Sequence, residues 1–160
     1  MKHTFVFVFG LLAAIFAPST SVFQDAKAVT TELVVLDPNT GLAIYGYDPV
    51  AYFVNQQPIK GIPEHEVLWK DAHWQFVSSA NADRFQDAPD FYTPQFNGYG
   101  AMAMANARTT EGNPLIWAIF ENKLYFFHTV NARSRWVRNV VANVEAATVN
   151  WERVVPKLAH

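Results

Sequence analysis

The sequence predicts an α+β fold: a small single domain in which two β-hairpins form an antiparallel sheet packed by helices, including a long C-terminal helix. Two pairs of short segments rich in aromatic and β-branched residues predict the hairpins, because only two residues separate the members of each pair. Apolar residues three or four positions apart between 136 and 151 predict the long helix.

The composition narrows the class of protein. The 160 residues carry 12 basic and 14 acidic side chains, and the formal net charge of -2 gives no basic footprint for nucleic acid. The chain contains no cysteine, which excludes disulfides, thiolate metal sites and thiol nucleophiles. An apolar content of 51% predicts a packed core and argues against a disordered chain.

Residues 1–28 have the pattern of a secretory signal peptide. A short polar start at Lys2 is followed by an apolar run from Phe5 to Ala17, which is too short to span a bilayer. Ala26-Lys27-Ala28 places small residues at the two positions that signal peptidase reads, and a cut after Ser21 is the alternative. We therefore expect a periplasmic or secreted protein whose mature chain is a single domain, residues 29–160. A buried core helix is the other interpretation of the apolar run.

The first segments of the mature chain predict a strand, a turn and a helix start. Thr31 to Leu36 is β-branched and apolar, and residues 37–41 contain the Pro and Gly of a turn. Asp48 before Pro49 predicts the N-cap of a helix, because Pro is favoured at the first helical position.

The first hairpin is predicted from residues 66–70 and 73–77, with Asp71-Ala72 as its turn. In that register Trp69 faces Trp74, and the aromatic side of the hairpin is the side that packs on the core.

Helices and a second hairpin are predicted in the rest of the chain, with no internal repeat in the sequence. Ser78 or Ser79 caps a helix that runs through Asp87, and small residues predict a short helix over 101–107. The second hairpin is residues 115–120 and 123–127, with Glu121-Asn122 as its turn. Thr129 or Asn131 caps the final helix, which extends to about Arg153. Its predicted inner stripe is Trp136, Val140, Val144, Ala147 and Trp151.

Several motifs occur in the same order as in the secreted, stand-alone YHS domain proteins, which the chain resembles. They are GYDPVAYF at 46–53, HWQFVSSANADRF at 73–85, FNGYGAMA at 96–103 and IWAIFENKLYFF at 116–127. The resemblance covers roughly residues 42–151. It implies a metal-binding role, since related domains occur in heavy-metal transporting ATPases.

Two departures from that family change what the resemblance implies. Gly100 stands where the family often has Cys or selenocysteine, and Phe127 stands where it has Asn, with His128 following. The resemblance therefore implies a member that has lost its thiolate and has no thiol redox chemistry.

Asp48, Tyr99 and His128 are the candidate ligand-binding residues. Asp48 is either a helix cap or a carboxylate of a site, and His128 at a strand end is either a structural histidine or a ligand. Tyr99, like Tyr47 and Tyr52, is expected to be a core aromatic with a hydrogen-bonded hydroxyl; the alternative is an open pocket, because Tyr99 lies between two glycines. If the three form a site, we expect their side chains within about 5 Å of one another in a cleft.

Metal binding has two weaker candidates, and neither is assigned as a metal site. Glu64-His65-Glu66 is an acidic trio, but neighbours in a strand point to opposite faces. Met102 and Met104 offer thioethers that suit Cu(I), but residues two apart on a helix do not share a face. The identity of any cofactor stays open.

The sequence contains no Ser-His-Asp order, Gly-rich phosphate loop or His-Glu-x-x-His pattern. We therefore expect a non-catalytic module that binds a small ligand or metal, or that assists a membrane system. One alternative is an oxidoreductase-linked enzyme with a pocket around Asp48, Tyr99 and His128. The other is a structural or protein-partner domain, which would show a large exposed apolar patch.

Overall fold

A computed structural model describes residues 32–158. Helices and antiparallel strands are both present in this part of the chain, which confirms the predicted α+β class. The predicted signal peptide, residues 1–28, lies outside the described residues. Between 32 and 158, no helix has the length and apolar character needed to cross a membrane.

The elements alternate between hairpins and helices. The strands are β1 (Ile62–Trp69), β2 (Ala72–Phe76), β3 (Asn113–Phe120) and β4 (Lys123–Phe127). The helices are α1 (Ala51–Val54), α2 (Ser79–Asp87), α3 (Pro89–Tyr92), α4 (Ala101–Ala105), α5 (Val130–Val137) and α6 (Val140–Val154). Short 3-10 turns occupy Ile44–Gly46, Gln95–Gly98 and Val155–Lys157.

Both predicted hairpins form, but they do not share one sheet. β1 pairs with β2 and β3 pairs with β4 in two separate two-stranded sheets. Outside each hairpin, an irregular segment makes a single parallel bridge, Leu42 to His73 in one case and Gly100 to Phe126 in the other. Each of these segments lies alongside its hairpin, in the position that a third strand of the sheet would occupy. The strand predicted over residues 31–36 is also wrong for its described part, because Leu36 makes only an isolated bridge to Ala43.

The turn of the first hairpin lies one residue earlier than predicted. Lys70 and Asp71 form it with φ of 50° and 56°, and Ala72 pairs with Trp69 as the first residue of β2. Two successive positive φ values match the twist of the flanking strands, which explains why this turn is chosen. The predicted core side is nevertheless right, because Trp74 is fully buried.

The predicted C-terminal helix is two helices. α5 ends at Val137 and α6 begins at Val140, because Asn139 has an extended φ of -149° and ψ of 64°. The Asn143 side-chain amide donates to the Trp136 carbonyl at 2.9 Å and satisfies one of the acceptors freed at the break. The predicted inner stripe is right, since all five of its residues belong to one core.

The structure contains an internal repeat that the sequence does not show. Residues 44–87 and 95–137 follow the same order: a 3-10 turn, a short helix, a hairpin and a capped helix. Each hairpin also has its register irregularity at the same place, between Ile62 and Glu66 in the first and between Asn113 and Trp117 in the second. The two halves are therefore alike in structure although their sequences show no repeat.

Matching hydrogen bonds fix the alignment of the two repeats. The amide of Gly61 donates to the Gly46 carbonyl, and the amide of Gly112 donates to the Gly98 carbonyl, both at 2.9 Å. A Cβ on Gly61 would lie 2.2 Å from the backbone carbon of Gln75, so this close approach requires glycine.

The alignment makes Gly100 the counterpart of Asp48. The Asp48 amide donates to the Ile59 carbonyl and the Gly100 amide to the Thr110 carbonyl, both at 2.8 Å. At the end of each hairpin, the side chains of Ser78 and Thr129 cap the next helix. Val77 and His128, one residue before these caps, are therefore counterparts.

Each repeat has its own apolar core, and β4 lies between the two. Leu124 and Phe126 belong to the core of the first repeat, while Tyr125 and Phe127 belong to the core of the second. All four are buried, which accounts for the continuous apolar run in this strand. α6 covers the second core through Ala147, which is fully buried.

Candidate functional site

Asp48 is a fully buried framework carboxylate. Its Oδ1 accepts from the amides of Val50 at 2.8 Å and Ala51 at 3.2 Å. The N-cap of α1 is nevertheless Val50, so the predicted helix start at Asp48 is two residues too early. Its Oδ2 accepts from the Val77 amide at 2.9 Å and from the Asn81 side chain at 2.7 Å. Four donors thus surround the carboxylate, which ties α1 to the end of β2 and to α2.

Tyr99 is fully buried, and it does not lie in the open surroundings that its flanking glycines allow. Its hydroxyl donates to the Glu32 carbonyl at 2.5 Å, and its ring packs near that of Trp151. Burial raises the pKa of Tyr99 to about 12, and the negative charges of Glu111 and Glu32 add to this effect.

His128 is exposed at the end of β4. Its Nδ1 lies 3.1 Å from the carbonyl oxygen of Glu111. The largest cavity that we describe is lined by His128 but by neither Asp48 nor Tyr99. The structure therefore does not gather the three candidate residues around this cavity.

That cavity has a volume of about 430 Å³ and lies between the two repeats. The first repeat contributes Tyr45, Tyr47 and Lys60, and the second contributes residues 111–115 and His128. We call it the inter-repeat cavity. Its volume falls within the range of small-molecule sites, which is roughly 300–1,000 Å³.

The walls of the inter-repeat cavity combine apolar surface with a few polar groups. Pro114 and the half-exposed Leu115 are apolar, and the Lys60 ammonium lies 4.5 Å from the centre of the Tyr47 ring. A cation held on an aromatic face in this way is a favourable contact. The Lys60 ammonium also donates to the backbone carbonyl of Tyr45.

Tyr45 and Glu111 join the two repeats at the wall of the cavity. The Tyr45 hydroxyl donates to the Glu111 carboxylate. Burial, followed by this hydrogen bond and the charge of Glu111, raises the pKa of Tyr45 to about 12. Tyr45 has a φ of 59°, a conformation that is uncommon for an aromatic residue and that often marks a functional or strained position.

Sequence reasoning missed Tyr45, Lys60 and Glu111 and treated Tyr47 as a core aromatic. The available signal was the pair of segments Lys60-Gly61 and Glu111-Gly112, each of which immediately precedes a hairpin. Without the repeat, nothing indicates that these two segments approach each other.

The metal candidates from the sequence do not form a cluster. Between residues 32 and 158, no group of three or more His, Asp or Glu side chains could hold a metal ion. The carboxylate of Glu66 instead accepts from Gln75 at 3.0 Å and lies 2.7 Å from the His73 ring, and these contacts lower the pKa of Glu66. Met104 is fully buried in the second core, as packing on a helix predicts.

Comparison with known proteins assigns no family. No protein-family model matches the chain, and no curated protein or solved structure is significantly similar to it.

Proposed function

We propose that this protein is a non-catalytic binding module whose inter-repeat cavity holds a small organic ligand. The observation that carries the proposal is the cavity itself: about 430 Å³ of space with apolar and aromatic walls, and with Lys60, Glu111 and His128 among its lining residues. A ligand with a planar apolar part and one or two polar groups fits this lining, because the rings offer stacking surface and the charged groups offer hydrogen bonds.

A small organic ligand is favoured over a metal ion by the donor groups that are present. His128 and Glu111 are the only His, Asp or Glu residues among the lining residues, and no group of three or more such side chains that could hold a metal ion exists between residues 32 and 158. A stable site for a first-row transition metal usually needs three or four protein ligands.

The binding interpretation is also favoured over the oxidoreductase-linked enzyme. The carboxylate of Asp48 is surrounded by four donors, and the Tyr99 hydroxyl is bonded to a backbone carbonyl in the interior. Both groups therefore support the framework, and only His128 of the proposed catalytic pocket reaches the cavity.

Membership of the YHS family and export to the periplasm or outside the cell form part of the same proposal. The ordered motifs between residues 42 and 151 support the family, and the apolar run before Pro18 supports export. In that setting the module captures its ligand outside the cytoplasm, alone or as an accessory to a membrane system.

Ligand-observed NMR with a library of small aromatic acids, amines and neutral heterocycles tests the proposal. We expect saturable binding to the wild type and loss of that binding in Leu115→Arg, which places a long charged side chain at the cavity. Leu68→Arg is the matched control, because Leu68 and Leu115 are both exposed strand leucines, at 64% and 58%.

A second pair of variants tests whether the Lys60 ammonium over the Tyr47 ring contributes to binding. Lys60→Met should weaken binding, while Lys70→Met should leave it unchanged, although both lysines lie over an aromatic ring, that of Tyr47 and that of Trp69 respectively. Equal effects of Leu115→Arg and Leu68→Arg, or no saturable binding by any member of the library, would overturn the assignment of the ligand site.

A further inference from the structure

A second cavity, of about 200 Å³, lies in the second repeat and is lined by basic and hydroxyl side chains. Its lining includes Ala103, Arg108, Thr110, His128, Thr129 and Arg135. No acidic residue lines it, and neither arginine forms an ion pair with any residue between 32 and 158. Two arginines therefore line this space without a negative partner from that part of the chain.

The first repeat shows what occupies the equivalent position there. The carboxylate of Asp48 lies between the segment before α1 and the end of β2, where its Oδ2 accepts from the Val77 amide at 2.9 Å. The Asn81 side chain, from α2, donates to the same oxygen at 2.7 Å. In that repeat the position is thus filled by a carboxylate from the chain itself.

In the second repeat the same position has no side chain, because the counterpart of Asp48 is Gly100. A Cβ on Gly100 would lie 3.3 Å from the amide nitrogen of His128, the counterpart of Val77, and 3.8 Å from the Cβ of Ala103. His128 and Ala103 both line the basic cavity. The residues that would surround a side chain at position 100 are therefore also residues that line the basic cavity.

We propose that the basic cavity binds a small oxyanion, a carboxylate or phosphate group, in place of the missing internal carboxylate. Arg108 and Arg135 supply the positive charge, and their planar guanidinium groups can each donate two parallel hydrogen bonds to such a group. The hydroxyls of Thr110 and Thr129 add neutral donors. The proposal does not depend on the ligand of the inter-repeat cavity, although His128 lines both spaces.

Titration of the ¹⁵N-labelled protein with sodium acetate and, separately, with sodium phosphate tests this site, with sodium chloride at equal ionic strength as the control for non-specific screening. We expect saturable shifts of the Ala103 and His128 amide signals with at least one oxyanion and none with chloride. The double variant Arg108→Gln and Arg135→Gln should weaken binding by at least about 10-fold, because charge-assisted hydrogen bonds are lost. Arg138→Gln, which removes one positive charge from an exposed residue outside the lining, should not.

Gly100→Asp is the second variant, since it supplies the carboxylate that the first repeat carries. We expect it to stop binding acetate and phosphate. The proposal is overturned if neither anion gives saturable shifts, if Arg138→Gln weakens binding as much as the double variant, or if a folded Gly100→Asp binds as the wild type does. If that variant does not fold, the arginine comparison decides. Retained binding of aromatic ligands by the double variant would separate this site from the inter-repeat cavity.

Discussion

At the scale of single residues, a polar side chain can bind a ligand or support the fold, and the burial of the side chain distinguishes these two roles. Asp48 and Tyr99 are fully buried, and the side chain of each is hydrogen-bonded to other parts of the chain. His128 is exposed and reaches both cavities. For Asp48 and Tyr99 the framework role was one of two alternatives that the sequence left open. The contacts that decide between them, with Asn81 of α2 and with Trp151 of α6, come from residues far along the chain.

Asp48→Ala should destabilise the fold rather than change ligand affinity. The substitution leaves four buried or partly buried donors without their acceptor, so we expect a loss of about 3 kcal/mol or more in the free energy of unfolding. Urea denaturation measures this change. Asp90→Ala is the control, because Asp90 is exposed and its one ion pair within residues 32–158 is with Lys70, so its loss should cost less than about 1 kcal/mol. Equal effects of the two substitutions would contradict the framework role of Asp48.

At the scale of elements, the types of most helices and strands could be predicted, but the places where they begin and end could not. Periodicity identified both hairpins and the stripe that faces the second core. The turn at Lys70-Asp71 was missed because lysine is not typical of a positive φ and the second position of such a turn favours glycine. The break at Asn139 was missed because the apolar spacing continues across it. Both the turn and the helix break depend on contacts that the local sequence pattern does not reveal.

The turn of the first hairpin is therefore a place where a substitution should increase stability. Asp71 has a φ of 56°, so Asp71→Gly removes a steric cost in the folded chain that exceeds the added flexibility of the unfolded chain. We expect a gain of about 0.5–1 kcal/mol in the free energy of unfolding.

The matched control for this turn is Asp83→Gly, the same substitution in the interior of α2. It should lower the free energy of unfolding by about 0.5–1 kcal/mol, because glycine disfavours a helix. Thermal or urea denaturation of both variants measures the difference. A loss of stability in Asp71→Gly would show that the aspartate makes a contact that outweighs its backbone conformation.

At the scale of the whole molecule, the repeat accounts for two features of a chain without cysteine: two packed cores and a cavity between the repeats. Each repeat packs its own core, and β4 contributes to both. Where the repeats meet, the Tyr52 hydroxyl donates to the Pro114 carbonyl at 3.0 Å and Tyr45 bonds to Glu111. The site could not be predicted from the sequence, because its residues lie in two segments whose likeness is structural.

Alkaline pH should destabilise the whole fold through its buried tyrosines. Tyr45 and Tyr99 have pKa values of about 12 in the folded chain against an ordinary value of 10.0. Between these values the folded chain binds more protons than the unfolded chain, so stability is complete below about pH 10 and falls as the pH rises towards 12.

Ultraviolet absorbance of the phenolate, measured in the folded and the urea-unfolded protein, checks this prediction. In the folded protein, some of the tyrosines should ionise only well above pH 10. The urea concentration needed for unfolding should fall over the same pH range. In Tyr45→Phe the late-ionising fraction should shrink. Ionisation of every tyrosine near pH 10 in the folded protein would contradict the burial of these side chains.

Native mass spectrometry of the protein purified from its native source, beside a denatured sample, tests the proposed binding module most directly. We expect a native mass that exceeds the polypeptide mass by that of a small organic molecule, and the excess should disappear on denaturation. The polypeptide should start at Val29 if the signal peptide is cleaved after Ala28. A native mass equal to that of the bare polypeptide would contradict the binding module.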